Sequence, residues 1–257
     1  MKVRVQAESS ATIPAVRALM GGPAERVVEA LLPGLCPCCE QPLGGAERGL
    51  CRSCLARLVP LCGATCPRCG APADSSDETC IECRRAPPPQ LGSVVWGEHA
   101  DTLRAALLAL KHGRRDELAH PLGSRLAAGV AAAGWADAVE LVTWVPSHPL
   151  RRLTRPWSAA ELLAREVARG LARPSRRLLA RRGLGRQTGR TRARRLLLPA
   201  ASFRVRRLRG TPSVLLVDDV TTTGTTLRRA AAALGSAGAG AVFVACLART
   251  PDPRSMT

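Results

Sequence analysis

The sequence predicts an α/β protein: a doubly wound parallel sheet with flanking helices, preceded by a small cysteine-rich module. Three observations carry that prediction. Eight cysteines fall into four Cys-x-x-Cys pairs, Cys36/Cys39, Cys51/Cys54, Cys66/Cys69 and Cys80/Cys83, separated by gaps of ten or eleven residues. After them, short apolar runs alternate with stretches of helical periodicity. One of those runs, "SVLLVDDVTTTGTTLRRA" from Ser213 to Ala230, sets two adjacent acids and a row of threonines around one glycine immediately behind a strand.

The cysteine pairs come first in the chain. Each Cys-x-x-Cys turns the backbone so that two thiolates converge on one ion, and a second such knuckle completes a tetrahedral four-cysteine zinc site. Two zinc ribbons, with Cys36, Cys39, Cys51, Cys54, Cys66, Cys69, Cys80 and Cys83 as ligands, fit the pattern better than disulfides, redox chemistry or an iron–sulfur cluster. Sequential pairing closes the shorter loops and is favoured over interleaved pairing on that ground. The surrounding segments, "CPCCEQPLGG" and "CPRCGAPAD", are rich in Pro and Gly and poor in large apolar residues, so metal binding has to supply folding energy. Cys38 stands as an alternative ligand to Cys39, Cys62 is left over inside the module, and Cys246 reads as a buried apolar filler.

The run "RRAPPPQ" ends the module with an extended spacer. The strand "SVVWG" follows, then the helix "TLRAALLALKHG", with Leu103, Leu107 and Leu110 at helical spacing and Gly113 as its stop. A second helix "LAHPLGSRLAAGVAAAG", a strand "VELVTWVP" and a third helix "SAAELLAREVARGLA" come next. The strand "SVLLVDDV", a helix "TTLRRAAAALGSAG" that begins near Leu227 and a final strand "AVFVACLA" complete the sheet. Ligands of such sheets bind at the carboxyl ends of the strands.

That rule locates Asp218 and Asp219 at the binding edge. A Gly- and Thr-containing loop at a helix N-terminus is an anion site, because backbone N–H groups point outward and hydroxyls add donors. The acids can accept hydrogen bonds from vicinal sugar hydroxyls or help place a hydrated Mg2+. A sugar phosphate satisfies both halves. The strand-plus-acid half of a P-loop ATPase is a poorer match, because neither lysine, Lys2 or Lys111, follows a G-x-x-x-x-G-K-[ST] loop. A bare threonine-rich cap is the other alternative, and it leaves two mutually repelling carboxylates without a use.

The formal charge is +18 and almost wholly arginine. Compositional bias toward arginine and alanine accounts for part of it. Position is more informative: no acid occurs between Glu166 and Asp218, while arginine recurs from Arg169 to Arg209, a distribution that attracts phosphate groups of nucleotides or nucleic acids. With no tyrosine, two phenylalanines and four tryptophans, a base-stacking platform is poorly supported. No run approaches the roughly 18 apolar residues of a membrane span, and the first thirty residues lack a signal-peptide pattern. The expectation is a cytoplasmic protein with no membrane span.

"VLLVDDVTTTGTTL" resembles the phosphoribosyl-pyrophosphate (PRPP) motif of type I phosphoribosyltransferases, and the whole arrangement, from about Leu31 to Thr250, resembles the ComF family of competence-associated proteins. "LALKHGRRDELAHPLGSRLA" is similar to that family's Lys-x-x-Gly helix and places Lys111 in it. "VTWVPSHPLRRLTRPWSAAELLA" retains Val145, Pro146, Arg151 and Arg155 of a Val-Pro strand end with an Arg-x-x-x-Arg-Gly-Phe-Asn stretch, with Pro156, Trp157 and Ser158 replacing Gly-Phe-Asn. Ahead of the PRPP strand, Gln187 and Arg195 match, and Leu198 stands where asparagine is expected.

The resemblance implies a phosphoribosyltransferase-like parallel sheet with flanking helices behind a double zinc-ribbon module. The division it implies is an N-terminal extension with a lead-in helix (1–30), the module (31–86), the phosphoribosyltransferase-like domain (91–250) and a tail (251–257). It implies that Asp218 and Asp219 bind ribose hydroxyls and that Thr222, Thr223, Gly224, Thr225 and Thr226 cradle the 5-phosphate. The loop at Pro146, with Arg151, Arg155 and Lys111, would neutralise pyrophosphate. Two zinc ions, and Mg2+ with PRPP, are the implied cofactors. The implied role is PRPP-type ligand binding in DNA uptake, with single-stranded DNA and a competence helicase as partners. The alternatives are an active phosphoribosyltransferase of nucleotide metabolism or salvage and a zinc-ribbon adaptor without catalysis. No catalytic base stands out; His112, His120 and His148 are candidates by residue type only and read as surface histidines.

Overall fold

The computed structural model describes residues 34–44, 47–113, 115–147, 157–181 and 203–250. The lead-in segment, Arg151, Arg155, His148, Gln187, Arg195, Leu198 and the tail lie outside the described residues.

Two small ribbons open the described chain. In each, the first knuckle is a tight turn: Glu40 donates its N–H to the Cys36 carbonyl at 2.8 Å and Gly70 donates to that of Cys66 at 2.8 Å. Both turns need a left-handed residue directly after the second cysteine, and Glu40 (φ 59°) and Gly70 (φ 65°) supply it. The second knuckle of each ribbon starts a short helix, Cys51 before α1 (Arg52–Ala56) and Cys80 before α2 (Ile81–Arg85).

The α/β part begins with β1 (Gly92–Glu98) and α3 (Asp101–His112). In α3, Leu103, Ala106, Leu107 and Leu110 are buried at i, i+3, i+4 and i+7, the stripe a helix needs to lie on a sheet. A 3₁₀ turn (Asp116–Leu118) leads to α4 (Ala119–Ala131), which tolerates Pro121 because that residue lies in its first turn. Strand β2 (Leu141–Trp144) follows. Helix α5 (Ala159–Gly170) is capped by Ser158, whose Oγ accepts from Glu161 N–H at 3.1 Å. Thus Ser158 performs a capping role that its hydroxyl suits.

A short antiparallel pair, β3 (Leu179–Arg181) and β4 (Phe203–Val205), was not foreseen from the sequence. Strand β5 (Ser213–Thr221), helix α6 (Thr225–Ser236) and strand β6 (Ala241–Arg249) finish the chain. The helix expected over "TTLRRAAAALGSAG", beginning near Leu227, is present as α6. Gly224 takes a left-handed conformation (φ 71°) and α6 starts at Thr225, while β5 runs on through Thr221, so the turn between them is three residues long.

The sheet order is β1-β6-β5-β2, parallel throughout. Strand β5 is central, and Val214, Leu215, Leu216 and Val217 are all fully buried, each contributing about 1.5–3 kcal/mol of apolar burial. Helices α3, α4 and α5 cover one face and α6 the other, with a separate apolar cluster on each side. Leu50, Leu58 and the cysteines of the first ribbon belong to the same apolar cluster as α3, α4 and α5. The ribbon that could not build a core alone therefore borrows the core of the sheet. Among the described residues no helix is long and apolar enough to cross a membrane.

Candidate functional site

Alternation along β5 decides where its acids project. Val214 and Leu216 pack on the α6 side, and Leu215 and Val217 on the α3–α5 side; continuing that alternation, Asp218 leans toward α6 and Asp219 toward α3. Lys111, in the last turn of α3, meets Asp219 there, with Nζ 3.0 Å from Oδ1. Asp219 N–H donates to Asp218 Oδ1 at 2.9 Å. Burial, and next the charge of Asp219, push the Asp218 carboxyl well above its ordinary range, against the opposing effects of that N–H, Lys111 and Arg181. The pair is a concentrated acceptor whose repulsion is relieved by hydroxyl donors or a cation.

Directly beyond the acids lies the glycine turn. Gly224 caps α6, and its carbonyl accepts from Arg228 N–H at 2.9 Å. Thr223 Oγ1 and Thr225 Oγ1 share a hydrogen bond of 2.9 Å. Thr222, Thr223, Thr225 and Thr226 are exposed, and the first turn of the twelve-residue helix carries no acid. Backbone N–H groups, hydroxyls and the helix dipole at this terminus all favour an anion.

Two groups at this edge were not anticipated. Arg181, at the end of β3, donates from Nε to the Pro146 carbonyl at 2.8 Å, packs over the Phe203 ring and contributes positive potential at Asp218. It thereby joins the candidate Pro146 to the acids. His99, just past β1, is partly buried and donates its backbone N–H to the Arg249 carbonyl at 2.7 Å. Burial, then the charges of Lys111 and Arg104, lower its imidazole pKa, with Asp219 acting in the opposite sense. The one available signal for His99 was its place immediately after a strand's carboxyl end. His112 is exposed, and His120 of α4 is paired with Glu166 of α5 at 3.0 Å.

The cysteines gather into two groups, Cys36, Cys39, Cys51 and Cys54, and Cys66, Cys69, Cys80 and Cys83, with the sulfurs of each group within 4.8 Å of one another. Backbone N–H groups point at sulfur in both, from Cys54 to Cys51 at 3.5 Å and from Cys80 to Cys66 at 3.3 Å. Four converging sulfurs with N–H support are a donor set that suits zinc. Cys38 is outside the first group, its thiol directed at the Thr102 carbonyl at 3.6 Å. Cys62 is exposed and Cys246 is buried in β6.

Comparison with known proteins agrees with both halves. Residues 27–84 match the double zinc ribbon domain family, and residues 158–256 match the phosphoribosyl transferase domain family. The chain is 33% identical over 227 residues to the DNA utilization protein YhgH of Escherichia coli (strain K12), covering 85% of this chain and 98% of that protein. It is 26% identical over 230 residues to Competence protein F of Haemophilus influenzae, covering 83% and 96%. Among solved structures, the B. subtilis glutamine PRPP amidotransferase aligns with 24% identity and a TM-score of 0.38 over 52% of this chain and 26% of that one. The cysteine module, the parallel sheet and the near full-length likeness to YhgH and Competence protein F together show that the chain belongs to the ComF family.

Proposed function

We propose that the chain binds a phosphoribosyl-pyrophosphate-type ligand at the carboxyl edge of its sheet and serves DNA uptake or utilization through that binding. The observation that carries the reading is the convergence of Asp218, Asp219 and Lys111 with the left-handed glycine turn that opens α6. Ribose hydroxyls would donate to the two carboxylates, and the N–H groups and hydroxyls of Thr222 to Thr226 would hold the 5-phosphate. Lys111 and Arg181 supply positive charge beside the acids, where the pyrophosphate of such a ligand needs it; Arg151 and Arg155 are proposed to add to it. Mg2+ would neutralise the pyrophosphate and lower the repulsion between the acids. The DNA-related role rests on the names of the relatives, DNA utilization protein and Competence protein F, and on the acid-free arginine stretch, which suits the phosphates of single-stranded DNA; a competence helicase is the proposed protein partner. The two cysteine groups would hold one zinc ion each.

Catalysis of phosphoribosyl transfer is the second reading. The cations beside the acids favour it, since they could stabilise a departing pyrophosphate.

Calorimetric titration of the zinc-loaded protein with PRPP and Mg2+, alongside the Asp218→Asn/Asp219→Asn double variant, tests the proposal. Binding to the parent and none to the variant is expected. Absence of binding to both, with zinc content intact, would overturn the ligand reading. Salt-sensitive single-strand binding that persists in the double variant would then point to an adaptor.

A further inference from the structure

The second cysteine group and the phosphate-type loop are physically joined, and the joint is one side chain. Arg228 lies in the first turn of α6, and its backbone N–H holds the Gly224 carbonyl at 2.9 Å, the residue whose left-handed turn shapes the loop. Its guanidinium leaves the helix and spans to the second ribbon. Nη2 donates to Cys83 Sγ at 3.4 Å and Nη1 to the Ala86 carbonyl at 3.3 Å. Cys83 is a buried member of the four-sulfur group, and Ala86 is the residue that ends α2. A fork of this kind fixes both position and angle, which a single flexible contact cannot do.

A second strap reaches the same ribbon. Arg249, paired with Thr221 across β6 and β5, donates from Nη1 to the Cys69 carbonyl at 3.4 Å. Between the straps is a cavity of about 310 Å³ lined by Cys69, Cys80, Gln90, Thr223, Gly224 and Arg228. The loop and the second ribbon thus both line one space. The first ribbon has a different attachment: its Leu50 and Leu58 sit in the α3–α5 cluster, and Arg125 of α4 donates to its Leu55 carbonyl at 3.0 Å.

We propose that Arg228 is a positioning residue that couples metal occupancy of the Cys66, Cys69, Cys80, Cys83 group to the anion-holding conformation of the Thr222 to Thr226 loop. With the ion in place, Cys83 and Ala86 are fixed points, and Arg228 holds the first turn of α6 against them. With the ion gone, those points are free to move and the loop loses its anchor. Coupling of this kind is reciprocal, so a phosphate-bearing ligand on the loop would in turn tighten the second group's hold on its metal. The functional consequence rests on the phosphate role proposed for the loop; the mechanical link does not.

The test is hydrogen exchange of the peptide containing Thr222 to Leu227 in the full chain, before and after zinc removal by a chelator, for the parent, Arg228→Ala and Arg228→Lys. In the parent, zinc removal is expected to speed exchange of this peptide by roughly five-fold or more. In Arg228→Ala the peptide exchanges fast with zinc bound, and removal adds little. Arg228→Lys, which keeps the charge but loses the fork, recovers part of the protection. An equal response to zinc removal in parent and Arg228→Ala, or no response in the parent, overturns the proposal. Failure of PRPP to bind in calorimetry would leave this result standing, so the two ideas fail separately.

Discussion

The two ribbons share a turn geometry and differ in what they are fastened to. The first contributes Cys36, Leu50, Cys51, Cys54 and Leu58 to the apolar cluster beneath α3, α4 and α5. The second makes polar connections: Ser93 Oγ and Gln90 Nε2 both donate to the Arg68 carbonyl, at 2.8 and 3.0 Å, and Arg228 and Arg249 reach its cysteine backbone and sulfur. The same small motif is therefore built once as part of the core and once as part of the candidate site. Apolar burial is non-directional and serves stability. Directional bonds to the first turn of α6 serve position.

The largest expected contrast comes from breaking each metal group in turn. Cys54→Ser removes a ligand and a buried core residue together, so the α/β part should lose stability as well, on the order of 5 kcal/mol. Cys83→Ser should release its metal yet leave the sheet cooperative. Thermal unfolding followed by circular dichroism, with zinc content measured in parallel, separates the two; equal loss of sheet stability in both would erase the contrast.

A smaller effect distinguishes the two knuckle turns. An alanine Cβ at Gly70 would collide with Val95 Cγ2 and would also have to adopt φ 65°. Gly70→Ala should therefore destabilise the docked second ribbon by about 2–3 kcal/mol. Glu40 already bears the left-handed strain at the matching place (φ 59°), and Glu40→Gly should stabilise the chain by about 0.5–1 kcal/mol. Chemical denaturation midpoints report both, and a neutral Gly70→Ala would show that the second ribbon is not seated on β1 as described.

The smallest effect concerns the acids. Burial beside Asp219 raises the Asp218 pKa above the unfolded value of about 3.9. Its contribution thus favours the fold below that value and is lost as pH rises through the folded pKa. Asp218→Asn should consequently raise the melting temperature at neutral pH by a few degrees while abolishing ligand binding, and the advantage should shrink on acidification. A lower melting temperature at pH 7 would show that the carboxylate is stabilised by its surroundings.

The sheet and the cysteine groups were legible because their signals are local. A Cys-x-x-Cys pair, an apolar stripe in α3 or the run from Val214 to Asp219 can each be read in a window of a few residues. The start of α6 is decided by the left-handed Gly224, since the four threonines around it offer several capping positions. Strands β3 and β4 are three residues each and flank an arginine-rich stretch without alternation, so nothing in a short window marks them. Arg181, His99 and Arg228 were missed for a further reason. Their roles depend on partners far away in sequence, Pro146, the Lys111–Asp219 pair and Cys83, that only the fold brings near.

The most direct measurement of the contrast between the ribbons is a chelator challenge with thiol alkylation and peptide mapping, with and without PRPP and Mg2+. The account predicts that the ligand slows alkylation of Cys66, Cys69, Cys80 and Cys83 and leaves Cys36, Cys39, Cys51 and Cys54 unchanged. Equal protection of both groups, or protection of neither, would contradict it.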